Sequence, residues 1–317
     1  MKKLIATIAV ALMVLAGSLS AHAQIFFDPT GGGGGIEITG FDWAPGAGVA
    51  KDSVIFSAED SWTWDSDVYL QSTLSNLLTP GGLASLDPAY EINAIAGFSE
   101  TGTYYTLPGL SFASFDLLPS DLNYFEVYID TAGSLDHTTD GTLILSGHFT
   151  SLGTSTYSTA GDIVPYLDNY PNGTLAQPDV AAMEGGGGTK ANMLIDFLAD
   201  GYFTLDEETL AALLAQSLFI TLDFVGTQSV PFTHIDPPDG IETLAGGTIP
   251  IDYLLLAGNG DYAHINGYPN GDGSPGDFAF EVDGASSFGT VPEPATILLS
   301  GLGLLVLGFF CRRNQVA

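Results

Sequence analysis

The chain has 317 residues and a formal net charge of −31, which comes from 37 acidic and 6 basic residues. Nucleic acid and anionic lipid surfaces repel such a chain, and this excludes both as natural partners. Hydrophobic residues make up 45% and aromatic residues 11% of the sequence, which is ample material for a core and excludes a disordered chain.

The N-terminal residues have the three parts of a secretory signal peptide. Lys2 and Lys3 provide the positive start, residues 4–19 are apolar, and Ala21-His22-Ala23 gives the small-x-small pattern that precedes cleavage. We therefore predict that residues 1–23 form a signal helix, which signal peptidase removes ahead of Gln24.

Residues 24–290 are predicted to form an acidic, mostly β extracellular domain. Short runs in which apolar and polar residues alternate are separated by Gly, Asp, Asn and Pro, as in half-buried antiparallel strands. The clearest runs lie at residues 36–39, 90–99, 125–130, 142–149, 218–224 and 278–283. Many such strands with turn-rich connections predict an antiparallel β-sandwich of jelly-roll type.

The leucines at 205, 210, 213 and 214 have helical rather than strand spacing. Acidic residues lie between Leu205 and Leu210, and Thr204 or Asp206 can cap the positive end of a helix. We predict a short helix over residues 206–216 and a second one over residues 191–198. The glycine runs Gly31–Gly35 and Gly185–Gly188 are predicted to be flexible loops.

A Gly-rich loop near the end of the domain is a candidate calcium site. Alternating oxygen-bearing side chains suit Ca²⁺, because this ion takes six to eight oxygen ligands. Calcium is the only cofactor that the sequence suggests. The candidate ligands are Asn270, Asp272, Ser274 and Asp277, and a second acidic group consists of Asp60, Asp65 and Asp67. The alternative is an ordinary Asn/Asp/Gly turn, with the acidic surface serving only solubility.

Carbohydrate contact is a second candidate activity. Trp43, Trp62 and Trp64, with Tyr104 and Tyr105, can present flat faces to sugar rings. The alternative is core packing, because Trp62 and Trp64 share one face of a strand.

No catalytic motif is present, so we predict no catalytic residues and a protein that is not an enzyme. Four histidines of the domain are far apart in sequence, at positions 137, 148, 234 and 264. The sequence contains neither a Gly-x-Ser-x-Gly elbow nor a phosphate-binding Gly-Lys loop. An extracellular hydrolase remains as a third hypothesis.

The C-terminal residues 291–317 form a second signal. Pro292-Glu293-Pro294 precedes the uncharged stretch 295–310, which Cys311, Arg312 and Arg313 follow. A helix over this stretch is about 24 Å long, slightly short of a hydrocarbon core of about 30 Å. We predict a single membrane-spanning helix that anchors the protein before processing, with the arginines on the cytoplasmic side.

These C-terminal residues resemble the PEP-CTERM sorting signal. That resemblance implies a Gram-negative host, an exosortase-type membrane protease as partner, and delivery to the cell surface or extracellular matrix through transient anchoring in the inner membrane.

Several stretches of the domain also resemble the flocculation-associated PEP-CTERM proteins. They are Gly40–Gly46, Tyr90–Phe98, Asn123–Tyr128, Asp140–Gly147, Pro231–Pro237 and Asp277–Asp283. The resemblance implies a matrix protein that promotes cell aggregation in flocs or biofilms, with exopolysaccharide as partner. It brings no site residues with it. A lectin-like carbohydrate- or calcium-binding module is the alternative function.

Overall fold

A computed structural model describes residues 24–51, 61–107, 110–131, 140–160, 185–227, 240–244, 247–250 and 278–290. These residues form fifteen β-strands and one α-helix. The elements are β1 (Ile25–Phe27), β2 (Ile36–Ile38), β3 (Gly40–Lys51), β4 (Ser61–Thr79), β5 (Gly82–Ala84), β6 (Tyr90–Leu107), β7 (Leu110–Leu117), β8 (Tyr124–Thr131), β9 (Thr142–Ala160), β10 (Gly185–Leu198), β11 (Phe203–Leu205), α1 (Glu207–Leu214), β12 (Leu218–Thr227), β13 (Gly240–Glu242), β14 (Thr248–Pro250) and β15 (Phe278–Thr290).

The long strands close into an antiparallel barrel with eight strand positions. Each barrel strand pairs with its neighbours in chain order, from β3 through β4, β6, β7 with β8, β9, β10 and β12 to β15. The last strand then pairs with the first, with Phe278 opposite Ala50 and Ser287 opposite Gly40. The fold is therefore an up-and-down barrel in which no barrel strand of the described ranges has a free edge.

The predicted β-sandwich is wrong, because the sheet closes on itself instead of splitting into two packed sheets. The predicted strand segments themselves are confirmed in β2, β6, β8, β9, β12 and β15. Alternation reports only that each strand has one buried face, and a barrel and a sandwich share that property. The difference between them lies in the pairing of β3 with β15, which are remote in sequence.

Strands β7 and β8 together occupy the same position beside β6. Both pair with β6, β7 over its second half and β8 over its first half. The residues between them leave the sheet, and the Asn123 side chain takes over the interrupted main-chain bonds. Its Oδ1 accepts from the Ser99 N–H at 3.0 Å, and its Nδ2 donates to the Leu118 carbonyl at 2.7 Å.

Replacing Asn123 with alanine should lower the free energy of unfolding by about 2–3 kcal/mol, because two partly buried main-chain groups lose their partners. Urea unfolding measures this loss. Asn123→Asp keeps the acceptor and should preserve slow hydrogen exchange at the Ser99 amide, although its second oxygen repels the Leu118 carbonyl. Equal Ser99 exchange in the two variants would contradict the assigned role.

One end of the barrel is covered by a cap, which consists of β1, β2, β11 and α1. The three strands form a small antiparallel sheet. Phe27 packs against Phe41 and Phe203, with ring centroids 6.4 and 5.2 Å apart. The cap thus continues the barrel core beyond the strand ends.

The helix predicted at residues 206–216 is confirmed as α1. Asp206 is its N-cap, since its Oδ1 accepts from the Thr209 N–H at 2.7 Å. The second predicted helix is wrong, because residues 191–198 belong to β10. Gly185–Gly188 is also not a loop, because it begins the same strand and pairs with both β9 and β12.

The predicted signal helix at residues 1–23 and the predicted membrane helix within 291–317 lie outside the described residues. Within the described ranges, no helix has the length and apolar character needed to cross a membrane.

Candidate functional site

The two ends of the barrel are distinguished by the cap. Gly40, where β3 begins, and Thr290, where β15 ends, lie at the capped end. The opposite end is here called the loop end. Lys51 of β3, Phe278 of β15, Leu107 of β6 and Leu110 of β7 lie there.

A cavity of about 60 Å³ lies inside the barrel towards the loop end. Four of its lining residues are aromatic, namely Phe98, Phe115, Phe224 and Phe280. An eight-stranded barrel is just wide enough to be filled by side chains or to hold one small ligand. At about 15 Å³ for each water position, the cavity accommodates a few water molecules or a molecule of similar size.

Glu100 of β6 is the acidic group in the cavity wall. Its side chain is only 7% exposed, and the Ser66 hydroxyl donates to its Oε1 over a long 3.4 Å. Burial raises the pKa of the Glu100 carboxyl to about 8, with the Ser66 hydrogen bond opposing the shift. The carboxyl is therefore largely protonated at neutral pH.

The opposite wall provides two hydroxyl groups. Ser155 of β9 and Thr189 of β10 are directly paired across the sheet, and their hydroxyl oxygens lie 2.6 Å apart. Both residues are buried and line the same cavity as Glu100. The lining therefore combines an aromatic wall with one carboxyl and a hydroxyl pair, and none of the described lining residues is basic.

A second buried polar group lies on the outer face of the barrel, beneath the β13–β14 hairpin. The Glu242 N–H donates to Gln71 Oε1 at 2.7 Å, and the Leu244 N–H donates to the Tyr124 hydroxyl at 3.3 Å. Burial raises the pKa of the Tyr124 hydroxyl above its ordinary value. These groups bond to one another and fix the hairpin, so we assign them a structural role.

The tryptophans predicted to contact carbohydrate take different positions. Trp43 and Trp64 are 4% and 6% exposed, and the Trp43 Nε1–H donates to the Ser286 hydroxyl at 3.2 Å. Their burial favours the core-packing alternative for both rings. Trp62 is in β4 opposite Tyr104, and its side chain lies outside the described part.

Tyr105, by contrast, is 40% exposed on the outer face at the loop end. Its ring stacks on Phe112 of β7, with centroids 5.2 Å apart and planes 26° apart. Among Trp43, Trp64 and Tyr105, the singled-out aromatic residues whose side chains are described, Tyr105 is the exposed one.

The remaining predicted site residues fall largely outside the described part of the chain. This applies to the calcium ligands Asn270, Asp272, Ser274 and Asp277, the sorting residues Pro292, Glu293, Pro294, Arg312 and Arg313, and the cleavage residues Ala21 and Ala23. Gln24 is described, and its N–H donates to Thr209 Oγ1 at 2.9 Å. Of the second acidic group, Asp65 and Asp67 lie on β4, and Asp67 accepts from the Ser99 hydroxyl at 2.6 Å.

Glu100 is a site residue that the sequence motifs missed, although the strand pattern contains a signal for it. Ile92, Ala94, Ala96 and Phe98 were predicted to share one face, and all four are buried in the barrel core. Glu100 lies two residues after Phe98 on the same strand. The alternation therefore already predicts a carboxyl on the core face. Ser155 and Thr189 carry no comparable signal, because threonine and serine are common on either face.

Comparison with known proteins identifies the C-terminal signal. The family model of the PEP-CTERM protein-sorting motif matches residues 290–313, while a search of curated proteins finds no match to the chain. The match confirms the resemblance of the C-terminal residues. The chain therefore carries a PEP-CTERM sorting motif, a signal that exosortase processes and that supports export to the surface of a Gram-negative cell.

Proposed function

We propose that this chain is a non-enzymatic matrix protein of the cell surface, which promotes cell aggregation together with exopolysaccharide. The sorting motif supports surface delivery. It begins at residue 290, where the last barrel strand ends. The flocculation-associated resemblance of the domain, described above, supports the role in aggregation. A chain anchored through residues 291–317, even transiently, is held by its capped end, with the loop end at the far side of the barrel.

The exposed Tyr105–Phe112 stack is the observation that carries the polysaccharide contact. It lies at the loop end, remote from Thr290. Flat aromatic faces pack against the apolar face of sugar rings, which tolerates many sugar types and suits a heterogeneous polymer. A single exposed pair binds weakly, but many copies on one cell act together on one polymer chain.

Deletion and complementation in the producing bacterium test this function. The deletion strain should aggregate less, and the full chain should restore aggregation. A chain that ends at Thr290 should fail to restore it, because the sorting motif is lost. Unchanged aggregation in the deletion strain would overturn the proposal.

A matched pair of variants tests the polysaccharide contact separately. Tyr105→Ala should reach the cell surface normally yet retain less exopolysaccharide in co-sedimentation. Leu83→Ala removes an exposed side chain at the capped end, and it should behave like the unaltered chain. Equal retention by the two variants would exclude the aromatic stack as the contact.

The alternative is a lectin-like module with a defined ligand pocket. The cavity near Glu100 does not favour this reading for sugars, because it holds only a few water-sized molecules. Saturable one-to-one binding of a short oligosaccharide would favour the lectin over the matrix protein, whereas binding that requires long polymer would favour the matrix protein.

A further inference from the structure

The cavity near the loop end contains a carboxyl group with no opposite charge among the described residues around it. Glu100 faces the barrel interior, and its described neighbours in the wall are the four phenylalanines, small apolar side chains and hydroxyl groups. A buried carboxylate without a partner is costly, so the site must hold either a proton or a cation.

We propose that this cavity binds one small organic ammonium ion, with its nitrogen against the Glu100 carboxylate and its carbon atoms against the aromatic wall. The inference is independent of the proposed role in aggregation. Aromatic faces attract cations within about 6 Å of the ring centre, and more strongly when water is excluded. Phe98, Phe115 and Phe280 line the same cavity as the carboxyl.

An organic cation fits this wall better than a metal ion. Calcium takes six to eight oxygen ligands, whereas the described lining offers one carboxyl and a few hydroxyl groups. The Ser155 and Thr189 hydroxyls are already bonded to each other at 2.6 Å, with an oxygen free to accept from an ammonium N–H. The remaining wall is apolar, which suits an alkyl group.

Binding is coupled to release of a proton. Below pH 8 the Glu100 carboxyl is largely protonated, so an ammonium ion displaces that proton to solvent and pairs with the carboxylate. A small alkylammonium keeps its own charge to about pH 10, as a lysine side chain does. Apparent affinity should therefore rise about tenfold per pH unit up to about pH 8 and then level off.

No other described titratable group faces this carboxyl. The neighbouring acids Asp65 and Asp67 on β4 and Asp116 on β7 alternate with the cavity-facing residues, and they lie on the outer face. Ser66 on β4 and the hydroxyls of Ser155 and Thr189 do not titrate in this range. The pH dependence of binding therefore reports Glu100.

Calorimetric titration of the purified full chain with ethylammonium chloride at pH 6.5, 7.5 and 8.5 tests the proposal. We expect one site per chain, with an affinity that increases between pH 6.5 and 7.5 as stated. Ethanol, which has the same number of heavy atoms but no charge, should bind at least tenfold more weakly. Equal binding of ethanol, or no binding of ethylammonium at any pH, would overturn the proposal and leave a cavity filled by water.

Two variants locate the site. Glu100→Gln should lower the affinity for ethylammonium at least tenfold and abolish its pH dependence, whereas Glu208→Gln on the exposed face of α1 should change neither. Ala50→Leu fills the cavity from β3 while keeping the carboxyl, and it should also abolish binding. Thermal unfolding of each variant confirms that it is folded. Unchanged affinity in both Glu100→Gln and Ala50→Leu would place the binding elsewhere and overturn the proposal.

Discussion

Replacing Gly40 with alanine is expected to destabilise the barrel by about 3 kcal/mol or more, because Gly40 lies at the seam where β3 and β15 close it. A Cβ atom at this position would lie 1.8 Å from the Ser286 carbonyl oxygen. That oxygen belongs to the backbone of the neighbouring strand, so it cannot move without separating the two strands. The expected fall in Tm is roughly 6–12 °C.

Gly81→Ala is the matched control, since a Cβ there would meet its nearest neighbour, Thr79 Oγ1, at an ordinary 3.7 Å. Thermal unfolding followed by circular dichroism should show this variant within about 0.5 kcal/mol of the unaltered chain. Similar Tm values for Gly40→Ala and Gly81→Ala would show that the seam between β3 and β15 is looser than its backbone spacing indicates.

The sequence stretches that resemble the flocculation-associated family have structural roles where they are described. Within Gly40–Gly46, Gly40 allows the close approach to β15, and Pro45 lies where β3 and β4 lose their regular register. A proline is tolerated there because the irregular ladder does not require an N–H from it. Gly97 similarly leaves room for the Tyr124 ring, since a Cβ atom at residue 97 would lie 2.5 Å from that ring. These three residues thus contribute to the strand packing of the barrel.

Local pattern was sufficient for six strand segments and for α1, and insufficient for β10 and for the closure of the barrel. The alternation of Ile92, Ala94 and Ala96 follows from one buried face, which any antiparallel sheet provides. Residues 191–198 were predicted as a helix, whereas the burial of Ala191, Met193 and Ile195 at alternate positions is that of a strand. Pairing with β9 and β12 makes this segment a strand, and such tertiary pairing overrides local propensity.

The candidate site was less predictable than the fold. Tryptophans drew attention because they often contact sugars, but the size of Trp43 and Trp64 also makes them suitable to fill a barrel. The cavity depends on residues from strands that are far apart in sequence, such as Glu100 and Thr189. Closure of the barrel places Glu100 and Thr189 in the wall of the same cavity. No rule of spacing along the chain could have predicted this proximity.

The free energy of unfolding is expected to fall as the pH rises from about 5 to 8, and Glu100 should account for most of a fall on the order of 4 kcal/mol. The carboxyl has a pKa of about 8 in the folded chain against an ordinary value of 4.5. Between these values the folded state holds a proton that the unfolded state has lost, so stability declines by about 1.4 kcal/mol per pH unit. Its contribution is complete below pH 4.5 and is lost above pH 8.

Urea unfolding of the full chain and of Glu100→Gln at pH 5, 6, 7, 8 and 9 isolates this contribution. The many surface carboxylates repel one another in both proteins, so the difference between the two curves removes their effect. The free energy of unfolding of Glu100→Gln should rise relative to that of the unaltered chain as the pH increases, because glutamine never ionises. This difference should become constant above pH 8. Glu208→Gln, on an exposed helix position, should give a difference that does not change with pH. If the unfolding free energies of Glu100→Gln and of the unaltered chain changed in parallel with pH, the Glu100 carboxyl would be ionised and solvated within the folded barrel. The cavity would then lack the buried proton that an ammonium ion is expected to displace.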